Sequence, residues 1–445
     1  MANVNSGGAP KPFEWLSGGL FFGNNNKGGG IESIDSEKDV SSLLNGIQEN
    51  LNGTLASSGS NDEPSSSSSS SSLPSDPSQS KSLAARLARL RFLLYDERRI
   101  TSQQAENSHR RGTPSVALNT VESLASSSST NTLRSLVPEL INNLQLLPFE
   151  SRKHVAAIFN YLLVCGFEGI DRDIYIPVMK RFRDYIALNF EAIVSPIVNG
   201  HDVSSASSSS TTTDVVLHCG SMYRSCFRHA NLYGQLVVTT RRVEQFVFPF
   251  IDRFALLPDF DVSSDAMESL KLVMTAGTTC SDNNNNNDST ATTPIDANSQ
   301  QEMAELAATF LIRDYDAVWD QRFNSKLLSS DANYMTKRIA LQILSTVLLT
   351  RSNYAVMIKY VNSRTNLILV MKLLRDTSPH ITLDAFHVFK VFVANPNKIP
   401  EVEKILRDNS QKLCAYLETL HYDKEASDQQ FADEKRLIIA TIRGI

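Results

Sequence analysis

The chain has 445 residues, a formal net charge of −5 at pH 7 and 41% hydrophobic residues, enough for one large core or a series of small ones. This even balance of charge excludes a protein that contacts nucleic acid along its whole length. The longest strongly apolar run, around 339–349, is too short to cross a bilayer, which needs about 20 residues. We therefore expect a soluble protein without membrane insertion.

The first 80 residues consist mostly of Gly-, Asn- and Ser-rich tracts, without the basic and then apolar pattern of a signal peptide. Such tracts carry too little apolar surface to offset the entropy cost of ordering, so we expect disorder there, with one short amphipathic helix at 39–51. Five scattered cysteines form no C-x-x-C pair, which favours reduced thiols and a cytoplasmic location.

Residues 81–130 are predicted to form N-terminal helices and a Ser-rich linker. The helix 81–95 carries leucines on one face and arginines elsewhere. A basic amphipathic helix can touch phosphates or acidic membranes, but the leucines need a core, and we interpret the arginines as a solvated face.

From residue 131 to 445 the pattern is one helix after another, separated by prolines and glycines. No stretch alternates like a strand with hairpin turns, so the chain is predicted to be all-α. Helices of about 10–20 residues with short links are typical of an armadillo or HEAT-like solenoid, and a compact helical bundle is the alternative. The length favours stacking, because a single core rarely grows past ~250–300 residues. Flexible inserts are expected at 202–214 and 281–296.

The sequence carries few motifs of catalytic or metal sites. There is no phosphate-binding glycine loop, no H-E-x-x-H and no G-x-S-x-G motif. The stretch DFDVSSD at 259–265 supplies carboxylates but lacks the loop glycine and the terminal Glu of an EF-hand. Cys219, Met222, Cys226 and His229 form a helical stripe about 15 Å long, too long for one ion and typical of a core. We therefore expect no metal, no cofactor and no catalytic residue.

The segment DAFHVFKVFVANPNK, 384–398, is apolar almost all round, apart from a narrow strip of Asp384, His387 and Lys390. Asp384 and His387 could form an acid–base pair, but no nearby Ser or Cys completes it. We interpret the segment as an inner solenoid helix whose polar strip faces solvent or a partner.

Three segments carry a family resemblance: SLVPELINNLQLLPFESRKHVAAIFNYLL, NYMTKRIALQILSTVLLTRSNYAVMIKYV and NLILVMKLLRDTSPHITLDAFHVFKVFVANPNK. From about residue 133 to 443 the chain closely resembles the calcium-binding protein 39 family, also called mouse protein 25. The resemblance implies a right-handed armadillo-like solenoid without catalytic activity or an established calcium site. It implies a scaffold in polarity and morphogenesis signalling that activates kinases: a STRAD-type pseudokinase with liver kinase B, and sterile-twenty (germinal-centre) kinases.

Two partner surfaces follow from the resemblance. The first takes a Trp-Glu-Phe tail of the pseudokinase and matches Arg338 and Met371, because a cation suits the peptide acid and a soft apolar floor suits an aromatic ring. At Gln342 and Ile368 the family has lysines, so the positive rim is weaker here.

The second surface is a concave kinase-contact face, matched by Arg351 and Tyr354, since an arginine beside an aromatic residue suits an interface hot spot. We expect Gln342, Ile368, His387 and Lys390 to be able to face a groove. The alternative function, from a different class, is a general helical-repeat adaptor for nucleic acid or other peptides, which would use the arginines from 86 to 111. In our main interpretation the chain is a monomer and does not bind nucleic acid.

Overall fold

The computed structural model of the chain describes residues 38–56, 77–94, 114–125, 136–164, 172–202, 210–278, 297–425 and 427–445. Within these ranges every regular element is helical, so the predicted all-α class is confirmed. Most of the two predicted inserts lies outside the described residues. The helix at the end of the first insert begins at Ser210, inside the segment 202–214 that the sequence assigns to the insert.

Twenty-one α-helices are described, numbered here in chain order. The helices before the first insert are α1 Lys38–Ala56, α2 Pro77–Leu94, α3 Pro114–Ala125, α4 Leu136–Asn142, α5 Phe149–Val164, α6 Arg172–Leu188 and α7 Phe190–Asn199. Those between the inserts are α8 Ser210–Cys226, α9 Ala230–Val237, α10 Thr240–Phe246, α11 Phe248–Asp252 and α12 Phe260–Met274.

The C-terminal helices begin after the second insert. They are α13 Ala297–Arg313, α14 Tyr334–Leu349, α15 Tyr354–Val361, α16 Arg364–Leu373, α17 Pro379–Ala394, α18 Pro400–Asp408, α19 Ser410–Thr419, α20 Tyr422–Glu425 and α21 Gln429–Arg443. A π-helical segment, Asp316–Leu327, joins α13 to the loop before α14, and 3₁₀ turns occupy Leu144–Leu146, Phe254–Leu256 and Arg351–Asn353.

The helices stack in layers along the chain. One row is formed by α2, α5, α8, α12, α14, α17 and α21, and each member packs against the next. A second row, α3, α6, α9 and α13, packs in the same stepwise manner. Because contacts run from one repeat to the following one, the buried residues form a continuous core from α1 to α21. This stepwise stacking defines an armadillo-like solenoid rather than a bundle around one centre.

The sequence pattern predicts one helix over 173–194 and another over 239–256, and both are divided in the structure. The first range covers most of α6 and the start of α7, because the side-chain amide of Asn189 donates to the Tyr185 carbonyl oxygen at 2.8 Å and caps the end of α6. Residues 239–256 contain α10, α11 and a 3₁₀ turn, and Pro249, which has no N–H to donate, lies at the start of α11.

A buried ion cluster fastens three helices in the middle of the solenoid. Asp265 of α12 accepts from Arg224 of α8 at 2.7 Å, and its other oxygen lies 3.7 Å from Nε2 of His201, just after α7. The His201 ring packs against Phe250 and Phe254. Burial raises the pKa of Asp265, but His201 and Arg224 outweigh it and hold that pKa below its usual value. The cluster therefore fixes the spacing between successive repeats.

Candidate partner-binding surface

Helix α14 carries the first residue assigned to the tail site, Arg338. The helix begins cleanly, because the Asn333 side chain accepts from the Thr336 backbone N–H at 2.8 Å and caps the first turn. The Thr336 hydroxyl then donates to the Ala255 carbonyl oxygen at 3.1 Å, which anchors α14 to the preceding repeat. One side of α14 is buried in the core, and Arg338 lies on the other, with 37% of its side chain exposed.

Arg338 faces an acidic residue of the next inner helix, α17. Its Nε lies 3.6 Å from Oδ2 of Asp384, just beyond hydrogen-bond distance, and both atoms are buried without a hydrogen-bond partner among the described residues. Its Nη1 donates a long hydrogen bond of 3.5 Å to the Tyr334 hydroxyl. Burial raises the pKa of Asp384, while Arg338, Gln342 and His380 oppose that rise. The structure thus brings Arg338 and Gln342 together around one carboxylate.

Helix α16 carries the two apolar positions of the predicted tail site. Met371 and Ile368 are partly buried, and Met371 packs against the core. Ser363 caps the helix by accepting from the Asn366 N–H at 3.3 Å, and the buried Asn366 amide donates to the Tyr360 carbonyl oxygen at 3.2 Å. Helices α14 and α16 both pack against α17. Arg338 and Met371, the two residues of the predicted tail site, therefore lie on helices that flank α17.

Arg351 and Tyr354 lie in the short turn between α14 and α15. Tyr354 begins α15 with 62% of its surface exposed, and Arg351 is also exposed. The turn itself is held by Asn353, which is buried and donates to the Val347 carbonyl oxygen at 3.2 Å. The two side chains are thus presented to solvent by a fixed turn, and Leu349 at the end of α14 is also 61% exposed.

The polar strip of α17 is divided between two neighbouring helices. Asp384 faces α14, whereas Lys390 donates to Glu434 of α21 at 2.7 Å. His387 is partly buried between them, and burial lowers the pKa of its imidazole, with Lys390 adding to the effect. Phe386, on the apolar side of the same helix, contacts Phe431 of α21 edge-on. The structure places this strip along a seam between helices.

The cysteine stripe lies in the core. Cys219, Met222 and Cys226 are buried in α8, and burial raises the pKa of both thiols, that of Cys219 to about 12. His229 stands apart from them: its Nε2–H donates to the Leu163 carbonyl oxygen at 2.8 Å, and its Nδ1 accepts from Arg183 at 3.2 Å. His229 directly precedes α9, so both ring nitrogens link the start of α9 to α5 and α6.

The carboxylates of 259–265 also have structural partners. Asp259 caps α12 by accepting from the Val262 N–H at 3.0 Å, and Asp265 belongs to the buried ion cluster. Across the described part of the chain, no group of three or more His, Cys, Asp or Glu residues is placed to hold a metal ion. In the same ranges, no helix combines the length and apolar character needed to cross a membrane.

The N-terminal arginine helix packs as its leucines suggest. Leu83, Leu87, Leu90 and Leu94 of α2 are buried, and α2 packs against α1 and α5. The arginines beyond 94 that the nucleic-acid alternative requires lie outside the described residues.

Two contacts in the structure could not be predicted from the sequence. The contact of Asp384 with Arg338 joins residues 46 positions apart, and nothing local to either marks it. The nearest signal is that Asp384 is the lone acidic residue of α17, a helix that is mostly apolar. Likewise Gly220 gives little sign that it makes room for the Asp265 carboxylate, although a glycine in the middle of a buried helix is a hint of close approach.

Fold and surface together define a helical-repeat protein of the armadillo type that presents side chains from successive repeats. A sequence model of the family described as Mo25-like matches residues 128–283 and 300–445. The chain belongs to this family. The predicted partner-contact residues Arg338, Arg351, Tyr354 and Met371 all lie within the second matched range.

Three relatives illustrate the similarity. A calcium-binding protein 39-like protein of Homo sapiens is 33% identical over 310 residues, 70% of this chain and 76% of that protein. The Mo25-like protein of Schizosaccharomyces pombe is 32% identical over 69% of this chain and 76% of its own. The degreening-related gene dee76 protein of Auxenochlorella protothecoides is 34% identical over 69% of this chain and 78% of its own.

One solved structure of low sequence identity also aligns with the chain. A designed armadillo repeat protein aligns with 79% of this chain and 99% of its own, at 11% identity and a TM-score of 0.32. The fold assignment therefore rests on the stepwise stacking of the helices and on membership of the family.

Proposed function

We propose that this chain is a non-enzymatic scaffold that binds and allosterically activates protein kinases in polarity and morphogenesis signalling. The observation that carries the proposal is the exposed pair Arg351 and Tyr354, held on a fixed turn of a Mo25-like solenoid. Tyrosine and arginine are the residue types that most often dominate binding energy at protein interfaces. Neither side chain is needed to fill the core, so both are available to contact a partner.

The proposed partners are protein kinases and pseudokinases, as the family resemblance implies. They comprise a STRAD-type pseudokinase with liver kinase B, and sterile-twenty (germinal-centre) kinases. Activation by a protein without an active site requires differential binding, in which the scaffold prefers the active shape of the kinase. A solenoid suits this role because buried contacts such as the Asp265 cluster fix the spacing of its repeats, and so the spacing of the side chains that it presents.

A second contact is proposed at Arg338 and Met371, which flank α17. Here a tail ending in Trp-Glu-Phe would place its Glu carboxylate near the Arg338 guanidinium and an aromatic ring against Met371. The neutral side chains of Gln342 and Ile368 complete the rim. Two contacts on one partner raise the apparent affinity, because the second forms at a high effective concentration.

The tail contact is tested with a fluorescent peptide that ends in Trp-Glu-Phe. Replacing Arg338→Ala and Met371→Ala together should weaken peptide binding at least tenfold, as expected for a lost charge contact and a lost apolar floor. Lys404→Ala, at an exposed lysine of α18, is the matched control and should leave binding unchanged. Equal affinity of the double variant and the wild type would show that the tail binds elsewhere.

The kinase face is tested separately with the catalytic domain of a sterile-twenty kinase, measured by calorimetry. Arg351→Ala with Tyr354→Ala should weaken binding by tenfold or more, because hot-spot residues each contribute about 2 kcal/mol or more. Thermal unfolding of the variant should match the wild type, since both side chains are exposed. Undiminished binding would remove this face from the proposal.

A further inference from the structure

The Arg338 guanidinium is already in contact with a carboxylate of the chain itself. Its Nε is buried and lies 3.6 Å from Oδ2 of Asp384, whose side chain is 17% exposed. The remaining exposure of Arg338, 37% of the side chain, belongs to atoms other than Nε. An incoming peptide acid must therefore use the outer edge of the guanidinium, with Asp384 on the inner edge.

The four polar and apolar positions of the tail site carry little net charge. Gln342 and Ile368 are neutral, and the positive charge of Arg338 is offset by Asp384. Gln342, one helical turn from Arg338, faces the same carboxylate. The site therefore offers a hydrogen-bonding fork and an apolar floor more than a positive field.

We propose that Asp384 is a specificity-determining residue: its carboxylate occupies one edge of the Arg338 guanidinium and lowers the affinity for acidic tails relative to neutral tails of the same shape. This inference rests on the tail site proposed above. Two carboxylates on opposite edges of one guanidinium lie roughly 6–7 Å apart, and in partly buried surroundings their repulsion weakens binding by about three- to tenfold. The wild-type chain thus selects its tail chiefly by aromatic shape.

The test compares two peptides with amidated C-termini, one ending in Trp-Glu-Phe and the other in Trp-Gln-Phe, on the full chain by fluorescence polarisation. The Glu side chain is then the only carboxylate by which the two tails differ. For the wild type we expect the affinities to differ by less than about threefold. Asp384→Asn should strengthen binding of the Glu peptide by about three- to tenfold and leave the Gln peptide unchanged. Gln342→Lys adds a positive charge without removing Asp384. It should likewise raise the affinity for the Glu peptide relative to the affinity for the Gln peptide. Asp384→Glu keeps the charge and should keep the wild-type ratio.

The outcomes separate this inference from the tail site itself. If Asp384→Asn leaves the ratio of the two affinities unchanged, or lowers it, the competing role of Asp384 is wrong, even when Arg338→Ala still weakens the Glu peptide. If Arg338→Ala has no effect on either peptide, the tail site is wrong and the inference falls with it. Failure of both peptides to bind the wild type would overturn both. Thermal unfolding checks that Asp384→Asn is folded, and Gln342→Lys tests the charge argument independently.

Discussion

Lys390 of α17 donates to Glu434 of α21 at 2.7 Å, with 20% and 29% of the two side chains exposed. The contact joins α17, which lies between the two halves of the proposed tail site, to the last helix of the solenoid. It also lowers the pKa of Glu434, although burial acts in the opposite direction. The terminal repeat is thus fastened to the candidate surface by a largely shielded ion pair.

Breaking that pair should loosen the C-terminal repeat. We expect Glu434→Ala to destabilise the chain by about 1–2 kcal/mol, more than an exposed pair contributes, because it leaves Lys390 shielded and unpaired. Asp433→Ala on the same helix is the control: its partner Arg436 is 69% exposed, and the change should stay within about 0.5 kcal/mol. Urea unfolding followed by circular dichroism measures both. Equal effects would mean that Lys390 and Glu434 contribute no more than a surface pair.

The buried carboxylate of Asp265 should matter more for stability. Asp265→Ala leaves the Arg224 guanidinium without its ion partner and opens a gap beside His201, and we expect a loss of about 3–5 kcal/mol. Asp261→Ala, at an exposed position in the first turn of the same helix, should cost less than about 1 kcal/mol. The midpoint of urea unfolding reports the difference. A loss below 1 kcal/mol in Asp265→Ala would contradict a stabilising role for the cluster.

Gly220 should not accept even a methyl group. A Cβ there would lie 1.7 Å from Oδ2 of Asp265, and that carboxylate is held by Arg224, so it cannot easily move aside. Gly220→Ala should therefore destabilise the chain by several kcal/mol. At Gly234, in α9, an added Cβ meets Leu306 at 3.4 Å, an ordinary contact, and Gly234→Ala should be neutral or stabilising by up to about 1 kcal/mol. Thermal unfolding of the two variants side by side distinguishes packing at Gly220 from a general cost of replacing glycine.

Acid should destabilise the solenoid through His229. Burial lowers the pKa of this imidazole to about 4, helped by Arg183 and Arg228 and opposed by its hydrogen bond to Leu163. In the unfolded chain a histidine takes up its proton near pH 6.5, so the unfolded state gains protons first. The stabilisation is complete above pH 6.5 and is lost as the pH falls toward about 4.

The melting temperature checks this prediction. It should fall between pH 7.5 and pH 5 in the wild type and fall less in His229→Gln, because the side chain at position 229 then takes up no proton in this range. His380→Gln, at an exposed position, should follow the wild-type curve. An unchanged pH dependence in His229→Gln would assign the acid sensitivity to other groups, of which His154, with a pKa lowered to about 4 first by burial, is the next candidate.

The sequence predicts the helices well where a single local rule applies. The leucines of α2 and the phenylalanines of α17 recur at helical spacing, and they are buried as that spacing requires. The divisions between α6 and α7 and between α10 and α11 are not predicted, because the capping role of Asn189 and the missing N–H of Pro249 break helices that remain apolar on both sides.

The candidate surface depends less on local pattern than on contacts between repeats. The exposed position of Tyr354 follows from the turn built by Asn353, and the environment of Arg338 follows from Asp384 on another helix. Such pairings join residues tens of positions apart, and helical periodicity carries no information about them. Only the family resemblance assigns residues to the two surfaces, and the roles of those residues stay predictions.

We propose that the chain activates a protein kinase without catalysing phosphate transfer itself. The most direct measurement is phosphate transfer by a purified sterile-twenty kinase, with and without the full chain. We predict that the chain raises the rate, that Arg351→Ala with Tyr354→Ala abolishes the increase, and that the chain alone transfers no phosphate. A rate that the wild-type chain leaves unchanged, or an increase that the double variant retains in full, would contradict the account.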